Sequence, residues 1–377
     1  MKVLVLIHEF PPVGGGGGRA AQDICRGLVA RGHEVTVLTA HLEGLPKLAT
    51  VDGITVRRLA SLRKETFRAG MTTMGAYVLA ALWAGYGLIR RWRPDLVHVH
   101  FAVPAGAAAW MLSRLTGIPY VMTVHLGDVP GGVPEKTGRW FKWVYPFTRP
   151  IWRDARRVVA VSEYTRQLAR DHYTREIEVI PNGVDLAGLR PGNIVAHEPP
   201  CVVFAGRLMA QKNPLQIVRT LAGLKDLPWR CVLIGDGPLM ADLRKEIAAL
   251  HLQERFTLTG WIAPDEVLAW FDQSDILFMP SLSEGLPVVG VQALAKGLAL
   301  VTSRIGGFGD LVEEGENGHL VDLASPGGFT AALRGLLADS ARLQRFREAS
   351  LGKAARFDLK RVVAQYEQLI VTSSTSK

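Results

Sequence analysis

Short β-branched runs alternate with helix-length stretches along almost the whole chain, and no other feature restricts its fold as tightly. "KVLVLIHEF" reads as a strand, "AAQDICRGLVARG" as a helix closed by Gly32, and "HEVTVLT" as the next strand. "ITVRRL", "PDLVHVHF", "PYVMTVHL", "RVVAVS" and "EIEVIPN" continue the series. A second series starts at Cys201 with "CVVFAGR", "WRCVLIGDG", "FTLTGWI", "DILFMPS", "LALVTS" and "GHLVD". Such spacing predicts an α/β fold, two doubly wound domains with helices on both faces of parallel sheets. A chain of 377 residues exceeds one ordinary core. The Pro- and Gly-rich stretch "DLAGLRPGNIVAHEPP" marks the join. We expect a first domain at 1–186, a linker at 187–200, a second domain at 201–358, and a final helix and tail at 359–377. The end, "TSSTSK", is expected to fray.

Composition narrows the class. With 48% hydrophobic and 21% charged residues the chain is globular, not disordered. Cys25, Cys201 and Cys231 are too scattered for a disulfide framework; Cys201 and Cys231, beside Val-rich runs, read as small buried hydrophobes, and a reducing cytosol fits. "MKVLVLI" is too short and too weakly charged for a signal peptide. Residues 1–190 hold 25 Lys and Arg against 15 Asp and Glu, whereas 191–377 hold 19 against 20. The first half therefore faces something anionic, such as nucleic acid, an acidic acceptor or a lipid surface, unless its arginines are merely solubilising.

Two stretches bear on a membrane. Residues 69–89 carry no charge, long enough to consider a span. Thr72, Thr73 and four glycines, together with a place inside a strand–helix–strand series, predict instead a buried helix covering the sheet. Its flanks, Arg63–Lys64–Arg68 and Arg90–Arg91–Arg93, read as surface anchors. "RWFKWVYPFTRPIWRDARR" (139–157) interleaves three tryptophans with six basic residues, which suits a membrane interface, an anionic glycan or ordinary helix packing.

Four segments carry chemistry in the second half. "FAGRLMAQKNP" puts Arg207 and Lys212 in a loop after a strand, where two cations can grip a diphosphate. "LIGDGP" places Gly235 and Gly237 in a tight turn at the carboxyl edge of the sheet. In "SEGLPVVGVQALAKG", Glu284 precedes a helix opened by Pro287, and Gln292 follows eight residues later. "GGFGDLVEEGENGHLVD" reads as a glycine-rich turn and a small hairpin. Near the start, "HEFPPVGGGGGRAAQ" holds glycines from Gly14 to Gly18. It is no dinucleotide fingerprint, since two prolines intervene and the next strand, "VLTAHLEG", ends without an acid at its tip. The sequence has no Asp–any–Asp triplet and no zinc-spaced Cys or His cluster, so cationic side chains and helix N-termini must hold any diphosphate.

In this order, the glycine loop, "RGHEVTVLT", "PDLVHVH", "TVHLGD", "VSEYTRQ", "PNGVD", "GRLMAQK" and the Glu284 segment resemble the retaining glycosyltransferases of family 4, glycosyl transferases group 1, over nearly the whole chain. The resemblance implies a GT-B fold, two Rossmann-like domains facing across a cleft, with the C-terminal helix crossing back to the first domain and tying cleft closure to donor binding. It implies transfer of a hexose from a UDP- or GDP-sugar, held by the second domain, to a glycan or lipid-linked acceptor on the first. No metal and no further cofactor are expected. Arg207 and Lys212 match the diphosphate pair, and His125 the histidine near the transferred sugar. Glu284 matches the first acid of the family's Glu–seven residues–Glu motif, with Gly285, Leu286 and Pro287 beside it. Gln292 replaces the second acid, which relatives use on the ribose; it is a weaker acceptor, so an altered donor grip is expected. Gly15, Gly16 and Gly17 approach the donor from the first domain, Gly235, Gly237, Trp261 and Ile262 surround the base, and Arg19 and Asp128 lie on the acceptor side. The implied place is the bacterial cytoplasm at the inner membrane face, in surface polysaccharide or glycolipid synthesis, with no nucleic acid as partner. A nucleotide-sugar epimerase of the same shape and a catalytically silent carbohydrate-binding relative are the rival readings.

Overall fold

The structure, a computed structural model, describes residues 1–66, 69–133 and 141–375, so Arg68, Arg139 and Trp140 of the basic stretches lie outside it. The chain forms two compact units, Met1–Gly183 with Leu359–Lys377, and Val184–Asp358.

The first unit is built on β1 (Lys2–Leu6), β2 (Glu34–Leu42), β3 (Leu48–Val51), β4 (Ile54–Arg63), β5 (Leu96–His100), β6 (Tyr120–Val124), β7 (Arg157–Ala160) and β8 (Ile177–Val179). Their order is β3-β4-β2-β1-β5-β6-β7-β8. All pairs are parallel except β3 with β4. Strand β3 was not anticipated. Its turn to β4 is Asp52–Gly53, both at positive φ, a pair favoured in two-residue hairpins. Strands β5 and β6 are buried at every position, as central strands covered on both faces are, even though β5 carries His98 and His100.

One core lies on each face of this sheet. Tyr77, Ala81, Leu112, Ile151 and Trp152 bring the helices Met71–Trp92, Ala107–Thr116 and Phe141–Asp154 into the first. Ala21, Ile24 and Leu28 of helix Gly16–Ala30, with Val362, Val363 and Tyr366 of the C-terminal helix Leu359–Thr375, fill the second. Of the end expected to fray, Thr372 to Thr375 continue that helix, with Ser373 buried, and Ser376 and Lys377 lie outside the described residues.

Two expectations about the Met71–Trp92 segment change. It packs Tyr77, Ala81, Gly85 and Ile89 inward, while Leu79, Trp83 and Tyr86 face outward, so it is half-buried. It is the one helix among the described residues long and apolar enough to cross a membrane. Arg63 is not a surface anchor. Its buried guanidinium bonds Glu9 Oε1 at 3.1 Å and the carbonyls of Glu65 and Thr66 at 2.8 and 2.9 Å.

The second unit holds β9 (Cys201–Ala205), β10 (Arg230–Ile234), β11 (Phe256–Gly260), β12 (Ile276–Met279), β13 (Ala299–Ser303) and β14 (Gly318–Val321), in the order β11-β10-β9-β12-β13-β14. Every pair is parallel. The winding reverses between β9 and β12, the switch point where such sheets open a crevice. Strand β14 lies beside β13, so "GHLV" completes the sheet and does not form the expected hairpin. The stretch expected as a linker packs within this unit. Arg347 donates to Val195 O at 3.2 Å and pairs with the buried Asp275, which also accepts from Cys201 N at 2.7 Å and His197 N at 3.0 Å.

The C-terminal helix tests this packing. Ile370→Ala, at a fully buried position, should cost about 2–5 kcal/mol, and Gln365→Ala on the exposed face under about 0.5. Urea unfolding followed by circular dichroism distinguishes them; equal midpoints would mean the helix is not part of the core.

Candidate functional site

In the first unit, the loops after β1, β5 and β6 converge where the order turns between β1 and β5. The glycine run opens the first helix: Gly15 is its N-cap, and Gly16 and Gly17 begin its first turn. A Cβ on Gly17 would lie 2.8 Å from Phe101 Cζ and 3.2 Å from His125 Cε1, so only glycine lets this turn reach the histidine. Arg63 holds the loop from behind through Glu9, and Gly14 N donates to Thr66 O at 2.9 Å. Arg19 is exposed one turn into the helix.

His125 follows β6. Its ring stacks on Phe101, centroids 4.3 Å apart, and Phe101 meets His8 edge-on at 5.3 Å. His125 Nε2 is buried and bonds no described residue. Burial holds its pKa down to about 4, with the nearby His8 lowering it further, so the imidazole is neutral near pH 7. Asp128, expected on the acceptor side, turns inward. Its carboxylate accepts from His125 N at 2.9 Å and Val103 N at 3.3 Å, which fixes the loop that presents the histidine. Burial pushes its pKa up to about 7 against those donors.

Behind His125 runs a row of buried rings that the sequence reading did not single out. His98 and His100, two residues apart on β5, lie 4.4 Å centroid to centroid, and His100 lies 6.1 Å from His125. His98 Nε2 meets Thr123 Oγ1 at 2.9 Å, and that hydroxyl donates to Tyr366 of the C-terminal helix at 3.2 Å. The alternation in "VHVHF" was the available signal, since positions i and i+2 of a strand share a face.

In the second unit, the Arg207 loop leaves β9 beside the turn that ends β10. Gly206 N donates to Ile234 O at 2.9 Å, and Leu208 N to Asp236 O at 3.0 Å. A Cβ on Gly235 or Gly237 would overlap the carbonyl oxygens of Gly206 or Leu208. Lys212, at the end of a short 3-10 turn, pairs with Glu284 of the loop after β12. Gln211 fastens the two loops, since its Nε2 donates to Ser283 O at 3.0 Å and its backbone carbonyl accepts from Leu282 N at 2.7 Å. Gly306 and Gly307 sit against the other side of Glu284, where a Cβ would overlap the carbonyls of Glu284 and Gly285.

Gly285, Leu286 and Pro287 lead directly into helix Val288–Ala295, where Gln292 is half-buried. Trp261 is exposed and Ile262 half-buried just beyond β11. The strand ends thus bring together Arg207 with the Gly235–Gly237 turn, and Lys212 with Glu284. Gln211, Ser283, Gly306 and Gly307 were missed by sequence reasoning, since nothing in a lone Gln or a Gly–Gly pair identifies its partner. All three cysteines are buried, and burial pushes the Cys25 thiol up to about 12, as for an inert core residue.

Burial also lowers the pKa of His8 to about 4, of His98 to about 3, and of His100 well below its ordinary value. Unfolded histidines take up protons near pH 6.5 while these resist, so their stabilisation is complete above that pH and is lost as pH falls toward 4. Asp128 opposes this: its raised pKa adds stability as pH falls from about 7 toward 4. Four histidines outweigh one carboxyl. Thermal unfolding should move lower between pH 7 and pH 5, with about 2 kcal/mol from His98 alone. A His98→Gln variant should lose part of that dependence; an unchanged midpoint would refute it.

Two family models cover the chain. "Glycosyltransferase Family 4" matches residues 14–187 and "Glycosyl transferases group 1" residues 189–352. The 2-deoxystreptamine glucosyltransferase of Streptomyces kanamyceticus is 29% identical over 316 residues, 76% of this chain and 80% of its own. The sucrose-phosphate synthase structure from Thermosynechococcus elongatus superposes with a TM-score of 0.86 at 20% identity, over 98% of each chain. Anabaena HepE in complex with UDP-glucose gives 0.75 at 18% identity, over 99% of this chain and 100% of that one. Motif order, two parallel-sheet α/β units and both family models agree: the chain belongs to the family 4, group 1 glycosyltransferases of the GT-B fold.

Proposed function

We propose that the protein transfers a hexose from a UDP- or GDP-sugar to a glycan or lipid-linked acceptor with retention of configuration and without a metal. One observation carries the reading: the switch point of the second sheet places Lys212 against Glu284, with the Arg207 loop clamped to the glycine turn beside it. Two cations on loops held by backbone bonds suit a diphosphate, whose negative charge grows as the sugar leaves. Glu284, buried and ion-paired, is oriented to accept hydroxyl hydrogens from the donor sugar. Glucosyl transfer in the Streptomyces relative's name and UDP-glucose in the HepE complex support the donor class.

In the proposed chemistry, the bond from the sugar's anomeric carbon to the diphosphate oxygen breaks. The bond to the acceptor oxygen forms on the same face, and the acceptor's proton passes to the leaving phosphate. Neutral His125, with Nε2 bonded to no described residue, hydrogen-bonds a hydroxyl of the transferred sugar, and the turn at Gly15–Gly17 admits the donor close to backbone. Absence of an Asp–any–Asp triplet supports metal independence. The basic first half supports a cytoplasmic protein at the inner membrane face, serving surface polysaccharide or glycolipid synthesis.

A nucleotide diphosphate should raise the unfolding temperature, and Arg207→Ala or Lys212→Ala should abolish that shift. No response to any nucleotide would end the reading. Gln292→Glu restores a carboxylate for the ribose and should tighten nucleotide binding about tenfold or less, measured by calorimetry. Transfer should survive excess chelator, and nucleotide diphosphate should be released only with acceptor present; sugar interconversion without acceptor would favour the epimerase.

A further inference from the structure

We propose that one face of the first unit docks on an anionic bilayer, seating a lipid chain between helices Met71–Trp92 and Phe141–Asp154 and the lipid phosphate beside Arg149 and Arg153. This rests on the membrane-side placement proposed above and names the surface and the lipid chemistry.

Three helices lie on the same face of the first sheet, and each turns large apolar side chains outward. Leu79 and Trp83 are 70% and 88% exposed on the first, Leu115 and Met111 are exposed on the second, and Trp143 and Phe147 are 81% and 74% exposed on the third. Large apolar side chains turned to water on all three helices of one face mark a surface for an apolar partner. Between the helices lies a pocket of about 370 Å³ lined by Met71, Met74, Val78, Trp110, Met111 and Phe147, and the hydroxyl of Thr148 in its wall is taken up by Tyr145 O and Tyr173 Oη. Its lining suits a hydrocarbon chain and no sugar.

Charge identifies the occupant. Pro150 lines this pocket and a second one, about 480 Å³, which Arg149, Arg153, His172, Tyr173 and Arg175 line without a carboxylate. Arg149 lies over the Tyr145 ring at 5.1 Å and pairs with no carboxylate among the described residues. Arg153 bonds Asp154 at 2.7 Å, and Arg175 donates to the carbonyls of Ala155 and Arg156, so Arg149 is the cation most available to an anion. On the first helix the outward stripe ends at Arg90, 5.9 Å from the Tyr86 ring. Aromatic residues bordered by arginine match the interfacial zone of a bilayer, where rings sit at headgroup depth and cations meet phosphates. An apolar pocket sharing one helix with a cationic pocket fits a molecule with a chain and a phosphate.

Cosedimentation with phosphatidylcholine vesicles, with and without phosphatidylglycerol, tests the assignment. The full chain should bind the anionic vesicles at low salt. A Trp83→Ser/Phe147→Ser variant should bind more than about tenfold more weakly, and Arg149→Gln/Arg153→Gln should lose the preference for phosphatidylglycerol. Both variants should keep the nucleotide-induced thermal shift, so a failure confined to vesicles overturns this inference alone. Wild-type protein left in the supernatant, or variants that bind like it, would overturn it. A dimer that dissociates in Trp83→Ser/Phe147→Ser without vesicle binding would also overturn it and assign the face to a second copy.

Discussion

A side chain on Gly306 or Gly307 would overlap the backbone of Glu284 and Gly285, and one on Gly235 or Gly237 would overlap the Arg207 loop. Backbone packed on backbone at the carboxyl ends of parallel strands is the constraint on which the second unit's site depends. Parallel strands all deliver their loops to the same edge, and a sheet that winds both ways from its centre parts them at the switch point. Side chains that reach into that space, Lys212 and Glu284, are aimed by loops that other loops hold. Gln211 and the paired backbone bonds do the holding.

The first unit solves the same problem with buried rings and one buried arginine. Arg63 stands behind the glycine loop, satisfied by Glu9 and by carbonyls, so its charge is fully employed in positioning. His125 is presented by Asp128 from below and Phe101 from the side. Low-polarity surroundings keep the ring neutral, and a neutral ring exchanges hydrogen bonds with a hydroxyl without a charge that must be neutralised. Burial of His8, His98, His100 and His125 along β1, β5 and β6 makes this neutrality cost stability in acid, a trade between site chemistry and robustness.

The two faces of the first sheet differ in purpose. One is sealed by the C-terminal helix, whose Val362, Val363, Tyr366 and Ile370 complete a core begun by the first helix. The other carries helices that are apolar inside and, at Trp83, Trp143 and Phe147, apolar outside as well. Two-sided apolarity in a helix bordered by arginines is hard to explain by folding alone, since the outward residues add nothing to the core.

The alternating strand and helix pattern by itself determined the sheet class, thirteen of the strands and the two-unit organisation, because period-two β-branched runs and turn residues are local signals. Arg207 and Lys212 stood out as two cations in one loop after a strand, and the family resemblance of the motifs added Glu284 and His125. Only tertiary structure decided which of these meet. Lys212 and Glu284 are seventy-two residues apart, and their pairing follows from β9 and β12 lying side by side. The inward turn of Asp128, the burial of Arg63 and the row of histidines were equally out of reach. Each depends on what a side chain faces across the sheet, and residue order along a chain does not carry that information.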